Sequence, residues 1–234
     1  MLNNIDIASL TPHLEFFSML SIEEQKLITQ NTVVKHYSKG NELLNGVSEC
    51  SGLIIVKNGQ LRAYYISEDG KQITLYRLLE GDVCIMSASC VLKNITFDVS
   101  LEFERDSDIY VIPINVWSNL SSTNLLINRY AMELMASRFS DVMWVMEQLV
   151  FKGIGERVAT FLIDESALQQ SNTLTTTHEV IAKNLSTARE VISRTLKHFE
   201  SDGVLELSRG AIKIIDFKKL RSYLVPLAFQ THEI

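Results

Sequence analysis

The chain has 234 residues, 46% of them hydrophobic, and a formal charge of −6. That length and apolar content suffice for one large or two ordinary closed cores and exclude a disordered tail protein. No run approaches the roughly 18 apolar residues that span a bilayer, and no early stretch has the basic start and apolar core of a signal peptide, so a soluble cytoplasmic protein is expected.

Near the N-terminus, Ser21-Ile22-Glu23-Glu24 forms a Ser-x-x-Glu capping box that opens a short helix. From about Thr32 to Ile114 the pattern becomes short apolar or alternating runs. They are divided by Ser38-Lys39-Gly40-Asn41, Lys57-Asn58-Gly59, Glu68-Asp69-Gly70, Glu80-Gly81-Asp82 and Arg105-Asp106-Ser107-Asp108. Asn-Gly and Asp-Gly between strand-like runs signal hairpins, so this region is expected to be a small antiparallel barrel or sandwich.

From about Ser122 to Phe151 there is no Gly or Pro. Met132, Met135, Phe139, Val142, Met146 and Leu149 recur at spacings of 3, 4, 3, 4 and 3, the seam of a coiled coil. A helix of about 30 residues is about 45 Å long. One small domain can hardly cover it, so a second copy of the helix is the expected partner. The alternative is burial on the chain's own barrel, which the off-seam residues Ile127, Tyr130, Leu134, Trp144 and Val145 could serve on another face. Phe151-Lys152-Gly153-Ile154-Gly155 then interrupts the helix, each glycine costing about 1 kcal/mol in a helix interior, and marks a boundary and hinge. The expected domains are 1–121 (effector-sensing), 122–152 (dimerisation helix) and 153–234.

In the last of these, Thr176 with Glu179 and Thr187 with Glu190 make two capping boxes eleven residues apart. They predict a two-turn helix, a tight turn at Leu185-Ser186 and a longer helix, with Val180, Ile181, Leu185, Val191, Ile192, Leu196 and Phe199 as shared core. That is helix-turn-helix geometry. Ser186, Thr187, Arg189, Glu190, Ser193 and Arg194 fall on the exposed N-terminal part of the second helix. Arg bonds guanine O6 and N7 and Glu accepts from cytosine N4, so Arg189, Glu190 and Arg194 have base-reading chemistry, while Lys183 and Lys197 suit phosphates. The bland readings are that Glu190 only closes its cap and that the arginines line a solvated face. Residues 203–215 read as a hairpin turning at Arg209-Gly210, a wing whose Arg209 would meet a phosphate. Charge divides accordingly: residues 1–151 carry 11 Lys and Arg against 18 Asp and Glu, and residues 178–224 carry 9 against 6. Only the C-terminal part suits a polyanion.

With Gly40, Gly59, Gly70 and Gly81 at the barrel turns and Arg189-Glu190-Val191-Ile192-Ser193-Arg194 in the second helix, the sequence resembles the Crp/Fnr superfamily over nearly its whole length. The resemblance implies an α+β chain: an N-terminal antiparallel β-roll of the cyclic-nucleotide-binding jelly-roll type, a long dimerisation helix and a C-terminal winged helix-turn-helix. It also implies that Arg189, Glu190, Arg194 and, more weakly, Ser193 contact bases in double-stranded DNA at a palindromic operator. RNA polymerase stays open as a partner; a membrane is not expected to be one.

The sensory pocket departs from the nucleotide-binding relatives, which use a Glu and an Arg in the segment after the Gly81-like turn. Residues 81–97 contain neither. Without a guanidinium there, a buried phosphate loses its bidentate partner, which argues against cyclic AMP. Cys50, Cys84 and Cys90 are too few for the four-cysteine iron-sulfur site of oxygen-sensing relatives. Haem stays open, with His13 as the candidate ligand. The tentative effector pocket is Gly81, Asp82, Ser87, Ala88 and Ser89, where a helix start could hold a small anion; Cys84 and Cys90 could equally be core filling or redox-active. The effector itself is unidentified. A second functional class is a ligand- or redox-sensing module whose winged helix contacts protein. An enzyme is not expected, because no histidine stands obviously near a cysteine to activate it.

Overall fold

The computed structural model describes residues 10–43, 52–85 and 99–224. Two compact units result, one of residues 1–66 with 75–143 and one of residues 67–74 with 144–234.

The first unit opens with a 3₁₀ turn, Phe17–Met19, and helix α1, Ile22–Asn31. The predicted capping box is formed: Glu24 N donates to Ser21 Oγ at 3.3 Å and Ser21 N to Glu24 Oε2 at 2.9 Å. Strands β1 (Val33–Tyr37), β2 (Glu42–Leu43), β3 (Leu53–Asn58), β4 (Leu61–Ile66), β5 (Gln72–Leu78), β6 (Val83–Cys84), β7 (Ser100–Phe103) and β8 (Ser107–Ile112) follow. They form two four-stranded sheets, ordered β1-β8-β3-β6 and β2-β7-β4-β5. Alternation along the strands decides what each face buries. Ile54, Val56, Leu61, Ala63, Leu78, Leu101, Phe103, Ile109 and Val111 join the two sheets in one core. The alternate residues Leu53, Ile55, Tyr110 and Ile112 pack instead with Leu14 and Phe17 from the N-terminal turns and with Trp117, Leu120 and Ile127 from the helices. Gly59, at φ +98°, turns β3 into β4. A Cβ there would lie 2.1 Å from Ser107 Oγ, so the turn excludes every other residue.

Helix α2, Ile114–Thr123, starts after Pro113 and ends at Asn124. Helix α3 runs Leu125–Phe151, so Ser122 and Thr123, expected in the long helix, belong to its predecessor. The break follows from Asn124, whose side-chain oxygen accepts from Leu126 N at 2.9 Å and caps a new start. On α3, Ile127 is fully buried and Tyr130, Leu134 and Met135 pack on the core below. Trp144, expected on that face, remains 48% exposed, as do Met132 (65%), Phe139 (67%) and Met146 (46%) on the predicted seam.

The second unit holds α4 (Ile154–Gln169), β9 (Thr173–Thr175), α5 (His178–Asn184), α6 (Arg189–Ser201), β10 (Leu205–Ser208), β11 (Ala211–Ile214) and α7 (Phe217–Ser222). Its sheet is ordered β10-β11-β9. Val158, Leu162, Leu174, Ile181, Ile192, Leu196, Phe199, Ile212 and Ile214 form one core. Val180, expected in that core, faces outward at 43% exposure. Gly155 lies inside α4, with Gly153 as its N-cap, so the interruption is one residue pair rather than a five-residue hinge. Within this unit Thr74 Oγ1 donates to Asn184 Oδ1 at 2.6 Å.

Candidate nucleic-acid interface

Helices α5 and α6 are joined by four residues. Ser186 takes the left-handed conformation at φ +49°, and Thr187 N donates to Ala182 O at 3.1 Å, which folds the turn back onto α5. The predicted turn at Leu185-Ser186 is therefore present. The predicted caps are not. The N-cap of α5 is Thr177, whose side chain accepts from Val180 N at 3.2 Å, while Thr176 is buried and its hydroxyl has no hydrogen-bond partner. The N-cap of α6 is Ala188, with no side-chain cap; Thr187 sits in the turn and leaves Glu190 outside any box. The turn's own backbone hydrogen bond places residue 187 one position too early to cap, and a cap worth about 1 kcal/mol does not override it.

A later helix start moves the reading face little. Ile192, Leu196 and Phe199 fix the buried side of α6, and Arg189, Glu190, Arg194 and Lys197 are exposed on the other, with Ser193 half-buried among them. Arg189 and Glu190 are its first two residues. A first-turn acid is favoured by the helix dipole, so Glu190 is stable there without a cap. Lys183 and Ser186 are half-buried on α5 and in the turn, and Arg209 is exposed beside Gly210, at φ +77°, in the β10–β11 turn. The predicted residues therefore lie on the end of α5, the turn after it, the outer face of α6 and a hairpin tip.

Three supports were not read from the sequence. Arg157 of α4 donates from Nη2 to the carbonyl of Leu185, and burial lowers its guanidinium from its ordinary value. Glu200 Oε1 accepts from Leu207 N at 3.0 Å and ties α6 to the wing. His178 Nδ1 lies 2.8 Å from Ser193 Oγ, linking the first residue of α5 to the reading face. Burial, then the charges of Arg189 and Lys197, lower the His178 pKa below 6.5.

In the first unit, the tentative effector residues Gly81 and Asp82 form a turn: Gly81 is at φ +91° and Asp82 Oδ2 accepts from Leu79 N at 2.8 Å. Ser87, Ala88 and Ser89 lie outside the described residues, as do Cys50 and Cys90. His13 packs its ring on Tyr110, with centroids 5.9 Å apart. Cys84 is buried in the core between the sheets. Among the described residues, no three His, Cys, Asp or Glu come together to hold a metal, and no helix is long and apolar enough to cross a membrane.

A pair that the sequence reading passed over lies in the same unit. Tyr76 of β5 is 8% exposed, and neither its hydroxyl nor Arg138 Nε on α3 has a hydrogen-bond partner, although both atoms are buried. The Arg138 guanidinium stands 4.6 Å from the Tyr76 ring centre, and its Nη1 donates to Asp141 at 2.8 Å. Burial pushes the Tyr76 phenol well above its ordinary pKa, so it is a donor like the guanidinium. Neither buried atom meets an oxygen or nitrogen acceptor, and the buried Cys84 side chain lies beside the phenol. The only sequence signal was an arginine set between Met135 and Phe139 of an apolar stripe.

Residues 34–124 match the cyclic nucleotide-binding domain family and residues 156–223 the Crp-like helix-turn-helix domain family. The chain is 42% identical to a solved structure from Eubacterium rectale assigned to the Crp/Fnr family of transcriptional regulators, over 91% of this chain and 98% of that one, with a TM-score of 0.88. It is 28% identical over 195 residues to Electron transport regulator A of Shewanella oneidensis, covering 80% of this chain and 76% of the relative. To transcriptional activator protein FnrA of Stutzerimonas stutzeri it is 26% identical, covering 84% of each.

Proposed function

The chain belongs to the Crp/Fnr family of DNA-binding transcription regulators, and from that premise we propose that it binds an inverted-repeat operator as a cytoplasmic homodimer, with affinity set by a small molecule in the β-roll unit. The observation that carries the reading is the exposed Arg189, Glu190 and Arg194 face at the start of α6, opposite a closed apolar core. In this reading Arg189, Glu190, Ser193 and Arg194 meet base edges. Lys183, Lys197 and Arg209 meet phosphates, with Ser186 and Thr187 in the approach turn. Dimerisation uses Met132, Phe139, Val142, Met146 and Leu149, joined by Met135 at the edge of the barrel core.

For the effector, the unpartnered Tyr76 hydroxyl and Arg138 Nε support a ligand that brings hydrogen-bond acceptors, and Arg138 delivers its charge from α3 rather than from the segment after Gly81. A signal received there would reach the helix that also carries the dimer seam. Selection of bound duplexes from a random library should yield an inverted repeat with half-sites about one helical turn apart, and cyclic AMP should leave affinity for it unchanged. Enrichment of no sequence would refute the reading.

A further inference from the structure

We infer that His178 is a specificity-setting residue: through its hydrogen bond it fixes whether the Ser193 hydroxyl offers a DNA base a lone pair or a proton. The inference rests on the reading of α6 as the base-contacting helix and adds to it a residue that touches no base.

The geometry is a 2.8 Å contact between His178 Nδ1 and Ser193 Oγ, joining the first residue of α5 to the second turn of α6. A serine hydroxyl has one proton and two lone pairs, and the imidazole claims one of these. When Nδ1 carries no proton, Ser193 donates to it and is left with lone pairs for the groove, suited to the amino groups of adenine N6 or cytosine N4. When Nδ1 carries a proton, always so in the imidazolium, Nδ1–H donates to Ser193 Oγ and the hydroxyl proton is freed for guanine O6, thymine O4 or a purine N7. The same side chain then prefers opposite partners.

The charged groups acting on this ring favour its neutral form, in which the Nε2–H tautomer gives the first state. Arg189 and Lys197 face it from α6, and burial adds to their effect. Its own helix carries Glu179 and Lys183, and α4 contributes Arg157, which is held on the Leu185 carbonyl. The raised-proton state is thus reached only below the ordinary histidine range, and the phosphates of bound DNA push the other way, toward protonation. DNA binding and proton uptake at His178 are coupled.

The test uses the full-length chain with a random duplex library, selected at pH 8 and again at pH 5.5. At the base pair where Ser193→Ala changes preference, His178→Phe should change it too, by about three- to tenfold, the scale of one neutral hydrogen bond. The double variant should behave as Ser193→Ala alone. Lowering the pH should move the wild-type preference toward acceptor-bearing bases and leave His178→Phe unmoved. The inference is overturned if His178→Phe weakens all sequences by one factor, if the two substitutions add, or if the pH shift survives in His178→Phe. Failure to enrich any sequence would instead sink the DNA-reading premise. A readout without DNA is the nitrogen-15 spectrum of histidine-labelled protein. His178 should titrate below 6.5 with an unprotonated Nδ1, and Ser193→Ala should change both its shift and its pKa; a His178 indifferent to Ser193→Ala also overturns it.

Discussion

The winged-helix unit and the β-roll unit differ in where they place the cations on which their readings rest. In the first, the apolar core from Val158 to Leu220 has buried Glu165, Ser166, Thr176 and Asn184 in the same unit and leaves Arg189, Glu190, Arg194, Lys197 and Arg209 exposed outside. In the second, cations are drawn inside. Arg62 is 1% exposed and paired with Glu102 at 2.5 Å, and the Tyr76 hydroxyl and Arg138 Nε are buried without a hydrogen-bond partner, although Arg138 Nη1 is paired with Asp141. Exposed cations beside a closed core suit a large polyanion that docks from outside. Buried, unsatisfied donors suit a small ligand that is enclosed, because each orphan costs about 1–3 kcal/mol until an acceptor arrives.

Helix α3 carries residues of both units, and substitutions there should have the largest effect. Phe139→Glu with Met146→Glu places four carboxylates in a seam that dimerisation would desolvate, and should convert the dimer to folded monomers with no measurable operator binding. Sedimentation at micromolar concentration checks it, and a folded dimer would defeat the seam assignment. Next in size, Phe199→Ala opens a cavity in the winged-helix core and should cost about 3–5 kcal/mol in urea unfolding. Tyr76→Phe sharpens the contrast because it should do the reverse. Removing an orphan hydroxyl from an apolar site should stabilise the protein by about 1 kcal/mol, or about 2–4 °C in Tm, while weakening the response to any effector. A destabilised Tyr76→Phe would mean that its hydroxyl is already satisfied.

What the sequence disclosed were features settled locally. Asn58-Gly59 and Asp69-Gly70 declare their turns because only a residue tolerant of positive φ closes them, and Gly59 and Gly70 take φ +98° and +80°. Ser21 and Glu24 cap as written, since nothing distant competes for that helix start. The Thr176 and Thr187 boxes failed where packing of α5 on α6 decides the turn, leaving Thr177 and Ala188 at the caps. Val180 keeps the apolar period but points away from the crossing. The meetings of Tyr76 with Arg138 and of His178 with Ser193 were illegible for the same reason. They join residues whose proximity is fixed by how two elements pack, which no spacing within one element reports.

Arg189 decides whether α6 reads bases or only grips phosphates. Affinities of wild type, Arg189→Ala and Lys197→Ala should be compared on the selected operator, its single-base variants and random duplex over a salt series. Arg189→Ala should lose about 1–3 kcal/mol on the operator and relax preference at one base pair per half-site, whereas Lys197→Ala should weaken every sequence alike and lower the salt slope by about one. If Arg189→Ala instead lowers affinity for all sequences by the same factor, Arg189 contacts only phosphate and the reading face assigned to α6 is wrong.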